Sequence, residues 1–273
     1  MIGLVTDSGS QIPPVLRDRF AVAVVPLAVV LDDEVYREGI DLSTHEFYAR
    51  LAAGATVSTS APSPGDFIDA YQRLSDAGAD EIVSVHIGSN TSATVAAATI
   101  AARTSPVPVE IVDTGTASFA VACCVWAAGD AIAAGADAVA AAEAARHAAR
   151  RVGNVFVLAG LDRARTGGRL DVAVGDTDAT PVLALVDGAI VAIGAVTSVP
   201  AAVDAMVDHV VEAAQRLPLR VGVGDALAPD MAEELARRLR GRAEVVEVVH
   251  YEVGPSVGAH TGPGTVGACF VPA

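Results

Sequence analysis

Short runs of Val, Ile and Leu alternate, along the first half of the chain, with longer stretches whose apolar residues recur at helical spacing. The short runs predict strands and the longer stretches predict helices. The predicted strands are Ile2–Val5, Val22–Val30, Glu81–His86 and Val109–Val112. The predicted helices are Pro13–Arg19, Thr44–Ala53, Pro64–Ala77, Ser92–Arg103 and Thr116–Ala134. This alternation is typical of a mostly parallel sheet with helices on both faces, which binds ligands beyond the carboxyl ends of its strands.

The second half has a different pattern. A helix is predicted over Ala138–Arg151 and a strand over Val155–Ala159, and two apolar runs then flank Asp187-Gly188, a dipeptide that favours a tight hairpin turn. Further helices and strands alternate as far as a terminal strand near Thr265–Val271. A hairpin inside an α/β pattern predicts a mixed sheet. We therefore expect an α/β protein of two domains, at residues 1–152 and 153–273.

The segment 254–265 places six Gly or Pro residues around His260 and several hydroxyls. Because Gly lets a backbone approach a ligand closely and Pro fixes neighbouring geometry, we expect a loop that presents His260 and Thr261 to an anion. Other hydroxyl-rich segments lie between apolar runs, at 6–8, 58–64, 89–94 and 166–169. Together they predict one site built from several loops.

Composition limits the classes of partner. Hydrophobic residues make up 52% of the 273 residues, which is enough for a substantial core, and the formal net charge is −15. Such an acidic chain is not expected to bind nucleic acid, since phosphate binding needs a basic face. All 18 basic residues are Arg, so no Lys is available as a nucleophile or Schiff-base former.

Cysteine usage and hydropathy indicate the compartment. Cys123, Cys124 and Cys269 have neither the spacing of a disulfide framework nor that of a zinc site. No signal peptide is visible, so we expect a cytoplasmic protein. The apolar stretch from Phe119 to Ala134 predicts a buried helix, and no stable membrane insertion is expected.

The hydroxyl-rich motifs occur in a characteristic order. They are Thr6-Asp7-Ser8, Ser58 to Pro64, Ser89 to Thr94, Thr166 to Leu170, and Gly258 to Gly264. In this order the chain resembles the DegV family over essentially its whole length. That resemblance implies a two-domain α/β fold that holds a long-chain fatty acid in an apolar tunnel, with the carboxylate at an interdomain site.

DegV proteins are bacterial fatty-acid-binding proteins, and some are the lipid-carrying subunit of fatty acid kinase. The resemblance therefore implies a non-catalytic protein whose ligand is the fatty acid, with no other cofactor and no metal. The partner would be a separate fatty acid kinase subunit that phosphorylates the presented carboxylate.

The resemblance also assigns residues by their position in the motifs. The implied carboxylate-binding residues are Thr59, Ser60, Ser92, His260 and Thr261. Residues expected beside the site are Asp7, Ser8, Ser89 and Thr94, and Arg169 is expected to contact the kinase. Considered without the resemblance, Thr59 and Ser60 are also compatible with turn or capping roles, His260 with a buried structural histidine, and Arg169 with the last turn of a helix.

The chain departs from the family pattern in four places. Ala61 stands where members typically have Gln, and Ser92-Ala93-Thr94 replaces Ser-Gly-Thr. The segment Leu170–Thr180 is short and acidic, which predicts a narrower or reshaped tail pocket. No basic residue follows the hairpin in Ala195–Ser198, which weakens the case for kinase docking more than that for lipid binding.

Two alternatives remain open from the sequence. One is a Ser/His-dependent hydrolase or phosphotransferase acting on a small carboxylate or acyl ester, with Ser92 or Ser60 as nucleophile and His260 as base. Asp7 or Asp225 would orient that base. The other keeps the fold and binds a shorter or branched acid.

Overall fold

The computed structural model of the chain describes residues 1–158, 179–186 and 189–273. The chain divides into two compact units. Unit 1 comprises Met1–Arg150 together with Gly254–Ser256, and unit 2 comprises Arg151–Val253 together with Val257–Ala273.

The main sheet of unit 1 has four parallel strands in the order β2-β1-β6-β7. The strands are β1 (Ile2–Asp7), β2 (Ala23–Val25), β6 (Glu81–His86) and β7 (Val109–Asp113). Their interior positions are mostly apolar, with Thr6, Ser84 and Glu110 as the polar exceptions, as expected for a parallel sheet that is covered on both faces. The parallel sheet predicted from the strand–helix alternation is confirmed.

A second, antiparallel sheet of unit 1 has the order β4-β3-β5, with β3 (Ala28–Leu31), β4 (Glu34–Arg37) and β5 (Val57–Ser60). The sequence did not predict it, and the single strand predicted over Val22–Val30 is wrong, because that run forms both β2 and β3. Pro26 lies between the two strands and has no N–H for a sheet ladder. Asp32 and Asp33 both have positive φ (47° and 71°), which is the geometry of a tight hairpin turn between β3 and β4.

Six helices cover the sheets of unit 1. They are α1 (Pro14–Arg19), α2 (Thr44–Ala52), α3 (Pro64–Asp76), α4 (Thr94–Ala102), α5 (Phe119–Ala133) and α6 (Ala138–Ala149). The start of α3 is fixed by reciprocal hydrogen bonds between Ser63 and Asp66, with Pro64 at the first helical position. Helix α5 is buried along nearly its whole length, so the prediction of a buried helix in this apolar stretch is confirmed.

Unit 2 contains a mixed sheet of six strands in the order β10-β9-β8-β13-β11-β12. The strands are β8 (Gly153–Val157), β9 (Thr180–Val186), β10 (Ala189–Val196), β11 (Leu219–Asp225), β12 (Val245–Glu252) and β13 (Val266–Pro272). Among the strand pairs of unit 2 that the structure describes, β11 and β12 pair in parallel and the others are antiparallel. The mixed sheet predicted from the sequence is confirmed, and β9 pairs antiparallel with β10 as the hairpin signal indicated, although Asp187 and Gly188 lie outside the described residues.

Helices α7 (Val199–Ala214) and α8 (Pro229–Arg240) pack on the sheet of unit 2. Their apolar faces meet the inward side chains of β8, β11 and β13 in one buried cluster. Met206 and Leu235 are fully buried within it. This core gives unit 2 a hydrophobic interior of its own.

The last helix, α9 (Pro255–Thr261), replaces most of the loop that the Gly and Pro content predicted. The loop prediction is therefore wrong for 255–261. Pro255 is the first helical residue, and Gly262 directly after the helix has φ +76°, the left-handed conformation that commonly ends a helix. Both signals are present in the sequence.

Candidate functional site

The carboxyl ends of β1, β6 and β7 meet at one edge of the parallel sheet, where Asp7, His86 and Asp113 end the three strands. Side-chain hydroxyls tie the strand ends together. Thr6 Oγ1 donates to Val85 O at 2.8 Å, and Thr114 Oγ1 donates to His86 O at 2.7 Å. This edge is where a parallel sheet places its ligand-binding loops.

Asp7 belongs to a buried chain of hydrogen bonds. His86 Nδ1 lies 2.9 Å from Asp7 Oδ2, and His86 Nε2 lies 2.7 Å from Ser84 Oγ. Ser84 Oγ lies in turn 2.9 Å from Tyr71 OH. All four side chains are 0% exposed, and the ring of Phe67 packs edge-on against His86 at 5.0 Å. Burial raises the pKa of Tyr71 to about 12.

The direction of donation along this chain follows from the groups involved. An ionised carboxylate only accepts, so His86 Nδ1 donates to Asp7. With its lone pair on Nε2, His86 accepts from Ser84, and Ser84 accepts from Tyr71. With a proton on Nε2, three hydrogens would share these two contacts, and the O–H of either Ser84 or Tyr71 would have no acceptor among these groups. The hydrogen-bond pattern thus favours the Nδ1–H tautomer of His86.

Ser84, His86 and Asp7 have the connectivity of a hydrolase triad. None of the three exposes any surface, so a substrate has no access to Ser84 Oγ. Asp7 also accepts the Ile87 N–H at 3.0 Å, and Asp225 Oδ2 accepts the Ala228 N–H at 2.8 Å. Both candidates for the carboxylate that would orient the base in the enzyme hypothesis, Asp7 and Asp225, therefore accept hydrogen bonds from backbone N–H groups.

The loop after β6 is held against the loop after β7. Ser89 N–H and Gly115 N–H donate to Asp113 Oδ1 at 3.1 Å and 3.0 Å. Although partial burial opposes it, these hydrogen bonds hold the pKa of Asp113 below its ordinary value. Gly88 N–H donates to Thr116 O at 2.8 Å, and a Cβ on Gly88 would lie 2.6 Å from the Gly115 carbonyl carbon. Only Gly permits this approach.

Two predicted site residues meet at the start of α4. Ser92 Oγ lies 2.8 Å from Thr94 Oγ1 and accepts the Thr94 N–H at 3.3 Å. Ser92 is half-buried and Thr94 is fully buried. Helix α4 begins at Thr94, two residues later than predicted, so Ser92 lies just ahead of the helix. The first N–H groups of a helix have no partner within it, which makes this a suitable place for an anion.

Thr59 and Ser60 are the last residues of β5, where they pair with Val29 and Ala28. Thr59 is half-buried and Ser60 is exposed. Successive side chains of a strand point to opposite faces, so a ligand on one face meets one of these two hydroxyls and not both. The resemblance alone gave no sign of this.

His260 and Thr261 lie in the last turn of α9, and both are half-buried. Thr261 Oγ1 donates to Val257 O at 3.3 Å, one turn earlier. Thr265 Oγ1 donates to Gly262 O at 2.9 Å and closes the turn after the helix. A short helix, and not an extended loop, presents the predicted pair.

Sequence reasoning missed a buried carboxylate, Glu38, which is 6% exposed. Ser8 Oγ donates to Glu38 Oε2 at 2.5 Å, and Ser256 N–H donates to Glu38 Oε1 at 2.7 Å. Burial raises the pKa of Glu38, against the lowering effect of these hydrogen bonds. In the sequence Glu38 stands between Arg37 and Gly39 in a polar stretch and resembles a surface charge.

The remaining predictions concern Ser8, the segment 166–169, metal binding and membrane insertion. Ser8 lies in a short 3-10 turn after β1, and its Oγ accepts the Leu27 N–H at 2.9 Å. Arg169 and the Thr166-Gly167-Gly168 motif lie outside the described residues. In the described part of the chain, no group of three or more His, Cys, Asp or Glu side chains is placed to hold a metal ion. None of the helices described combines the length and apolar character that a membrane span requires.

Comparison with known proteins bears on the whole chain. A sequence model described as an uncharacterised protein of the DegV family matches residues 1–273. A DegV domain-containing protein of Streptomyces coelicolor is 37% identical over 271 residues, which cover 97% of this chain and 96% of that protein.

Solved structures are similar over the same length. The structure titled as fatty acid binding of a DegV family protein from Thermus thermophilus has a TM-score of 0.91 and 31% identity, and covers 100% of this chain and 99% of its own. DegV of Bacillus subtilis, titled a fatty acid binding protein, has a TM-score of 0.87 and 25% identity over 100% of this chain and 99% of its own.

Proposed function

Because this chain belongs to the DegV family, we propose that it is a non-catalytic protein that binds a long-chain fatty acid in an apolar tunnel. The observation that carries the proposal is its similarity, in both fold and sequence and over its full length, to the fatty-acid-binding DegV protein of Thermus thermophilus. The proposed ligand is a long-chain fatty acid, because its apolar tail supplies most of the binding free energy.

Burial of the acyl chain provides enough free energy for tight binding. Burying roughly 14 methylenes at about 0.8 kcal/mol each contributes roughly 11 kcal/mol before costs. Association and ordering subtract several kcal/mol. Apolar burial alone therefore supports tight binding, and the polar residues provide selectivity for a carboxylate.

The proposed carboxylate-binding residues are Ser92, His260 and Thr261, together with one of the two strand residues Thr59 and Ser60. Support for Ser92 comes from its position ahead of α4, beside the Thr94 hydroxyl. A buried carboxylate needs its acceptor sites filled, and hydroxyls and helix N–H groups fill them without a lysine, which this chain lacks. Asp7 and Ser89 support the site indirectly, because they hold the ends of β1 and the loop after β6.

We further propose that the protein acts in the cytoplasm and presents the bound carboxylate to a separate fatty acid kinase. The motif order that resembles the DegV family supports this step. Incubation with a purified bacterial fatty acid kinase and ATP tests it. Acyl phosphate formation that depends on this chain is the expected result, and its absence with a lipid-loaded chain would leave a carrier without that partner.

The central experiment is mass spectrometry of lipid extracted from the natively purified protein. We expect about one fatty acid per chain, and the mass identifies its length. Protein that carries no lipid and gains no thermal stability from any acid of about C12 to about C20 would contradict the proposal.

Single substitutions test the head-group residues. Ser92→Ala is expected to weaken binding of the fatty acid about 10- to 100-fold, since a hydrogen bond to a charged group contributes about 1.5–3 kcal/mol. Thr99→Ala is the matched control, because it removes an exposed hydroxyl from α4, the helix that follows Ser92, where Thr99 donates to Val95 O. Equal affinities of the two variants for the fatty acid would show that Ser92 does not contact the carboxylate.

The two strand residues can be separated in the same way. Because their side chains point to opposite faces of β5, only one of Thr59→Ala and Ser60→Ala is expected to reduce affinity by tenfold or more. The half-buried Thr59 is the expected one. Equal large losses would show that both hydroxyls reach the ligand, and two unchanged affinities would exclude the strand from the site.

A further inference from the structure

Five residues of unit 1 form a polar cluster, which we call the Glu38 cluster. Its members are Ser8, Gln11, Glu38, Gly254 and Ser256. Glu38 is 6% exposed, Gln11 8% and Ser256 7%. Segments far apart in the sequence, around positions 8, 38 and 255, are joined here by buried hydrogen bonds.

The cluster holds the start of helix α9. Ser256 N–H donates to Glu38 Oε1 at 2.7 Å, and Gly254 N–H donates to Gln11 Oε1. Pro255, which lies between them, has no N–H. Both backbone donors at this helix end are therefore satisfied by side chains from the other end of the chain.

These contacts satisfy N–H groups at the N-terminus of the helix. The first N–H groups of a helix have no partner within the helix, and a carboxylate is favoured there by the helix dipole. Capping usually comes from a residue just ahead of the helix. In this chain the cap is Glu38, 218 positions earlier in the sequence.

The side chain of Gln11 is also held in an orientation that caps the start of α9. Its Nε2 donates to Ser8 O at 2.9 Å and to Ser256 Oγ at 3.2 Å, which turns Oε1 towards Gly254. Gln11 has φ +54°, a left-handed backbone conformation that is uncommon for Gln. A Cβ on Gly254 would lie 2.9 Å from both Gln11 Oε1 and Glu38 Oε1, so a larger residue at this position would push both side-chain caps aside.

We propose that Glu38 and Gln11 are positioning residues of the fatty-acid site, which act by fixing the start of α9 and thereby the placement of His260 and Thr261. This inference rests on the proposed function. Helix α9 has only seven residues. Isolated helices of that length are marginal in water, so release of the first turn reaches the last turn, where His260 and Thr261 lie.

The carboxyl of Glu38 can be tested by two substitutions that differ in one property. Glu38→Gln keeps an oxygen that accepts the Ser256 N–H, whereas Glu38→Leu has a similar volume and no acceptor. We expect fatty-acid affinity within about threefold of wild type for Glu38→Gln and at least tenfold weaker for Glu38→Leu. The control is Ser256→Ala, which removes the hydroxyl contacts with Gln11 Nε2 and Glu38 but keeps the Ser256 N–H that Glu38 accepts, and it is expected to stay within about threefold.

A second readout reports on α9 itself. The NMR titration curve of the His260 imidazole is expected to move in Glu38→Leu and to return in Glu38→Gln. The curve of His147, which is exposed on α6, is expected to stay the same and serves as an internal reference. A residue that only stabilised the fold would not move the His260 curve in a folded variant.

Failure of this inference can be distinguished from failure of the proposed function. Wild-type affinity and an unchanged His260 curve in folded Glu38→Leu would overturn the inference. If Glu38→Leu does not fold, Gln11→Leu provides the same test through the Gly254 N–H, with the same expected direction. If the wild-type protein binds no fatty acid, the proposed function fails, while the His260 curves still decide whether Glu38 positions α9.

Discussion

Ser84 serves two buried partners with a single oxygen atom, since it donates to His86 Nε2 and accepts from Tyr71 OH. Removing that oxygen leaves both partners buried without a hydrogen bond. Removing the Tyr71 hydroxyl leaves only an acceptor position of Ser84 empty. Substitutions at these two positions should therefore differ in cost, although each removes one atom.

Ser84→Ala is expected to lower the free energy of unfolding by about 2–4 kcal/mol, and Tyr71→Phe by about 0.5–1.5 kcal/mol. Urea unfolding of the two variants beside the wild type measures both values. A loss of about 2 kcal/mol or more for Tyr71→Phe would indicate donation in the other direction, because the buried Ser84 O–H would then lose its acceptor.

Two carboxyl groups should respond to pH with opposite sign. Burial raises the pKa of Glu38 from its ordinary value of 4.5, so the folded state holds that proton more tightly than the unfolded chain does. Its contribution to the free energy of unfolding is complete below the unfolded pKa and is lost as pH rises through the folded pKa. For Asp113, whose pKa hydrogen bonds hold below 3.8 against partial burial, the contribution is present above 3.8 and is lost as pH falls.

Unfolding measured from about pH 4 to about pH 8 compares the wild type with Glu38→Gln and Asp113→Asn. We expect the wild type to lose stability relative to Glu38→Gln as pH rises. Relative to Asp113→Asn, we expect it to gain stability over the lowest part of the range. Parallel curves for wild type and Glu38→Gln would show that Glu38 has the same proton affinity in both states.

At the level of elements, the loops after β6 and β7 are in backbone contact through Gly88 and Gly115. A Cβ on Gly88 would lie 2.5–2.7 Å from Asn90 Oδ1 and from the Gly115 backbone, and a backbone cannot move aside as a flexible side chain does. The same loop carries Ser89 and leads to Ser92. A disturbance here should affect both stability and ligand binding.

Gly88→Ala is expected to cost about 1–3 kcal/mol of unfolding free energy and to weaken fatty-acid binding. Gly65→Ala is the control, because a Cβ there meets nothing closer than 3.5 Å inside α3, and Ala favours a helix over Gly by roughly 0.5–1 kcal/mol. Unfolding and ligand titration of both variants test the prediction. A neutral Gly88→Ala would show that the two loops separate easily.

Elements with strong periodicity could be predicted from the sequence, and elements with weak or conflicting signals could not. The bounds of β6 agree with the sequence prediction, and the start of α3 follows from Ser63 and Pro64. The strands β4 and β5 have only four residues each, and β5 is Val-Ser-Thr-Ser, so neither has an apolar pattern long enough to recognise. For α9, the start and stop signals at Pro255 and Gly262 were outweighed by the high Gly and Pro content around them.

For the whole molecule, the ligand itself should be a stabilising component. A ligand that binds only the folded state at about 100 times its Kd raises the free energy of unfolding by about 2.7 kcal/mol. We expect this gain with the fatty acid that co-purifies, and a clearly smaller one with its methyl ester, which lacks the charged head group. Thermal or urea unfolding with each ligand provides the measurement, and equal gains would mean that the carboxylate is not specifically bound.

The sequence by itself determined the α/β class, the parallel sheet of unit 1, the mixed sheet of unit 2, most helices and strands, and the family, because these depend on local periodicity, caps and motif order. It also located hydroxyl-rich motifs at strand and helix ends. Only the tertiary structure decided that Thr59 and Ser60 point to opposite faces, that His86 joins Asp7 to Ser84 and Tyr71, and that Glu38 is buried against Ser8 and Ser256. A buried polar group takes its role from its hydrogen-bond partners, and in these clusters most partners lie 30 to 245 residues away along the chain, beyond the range of any local pattern.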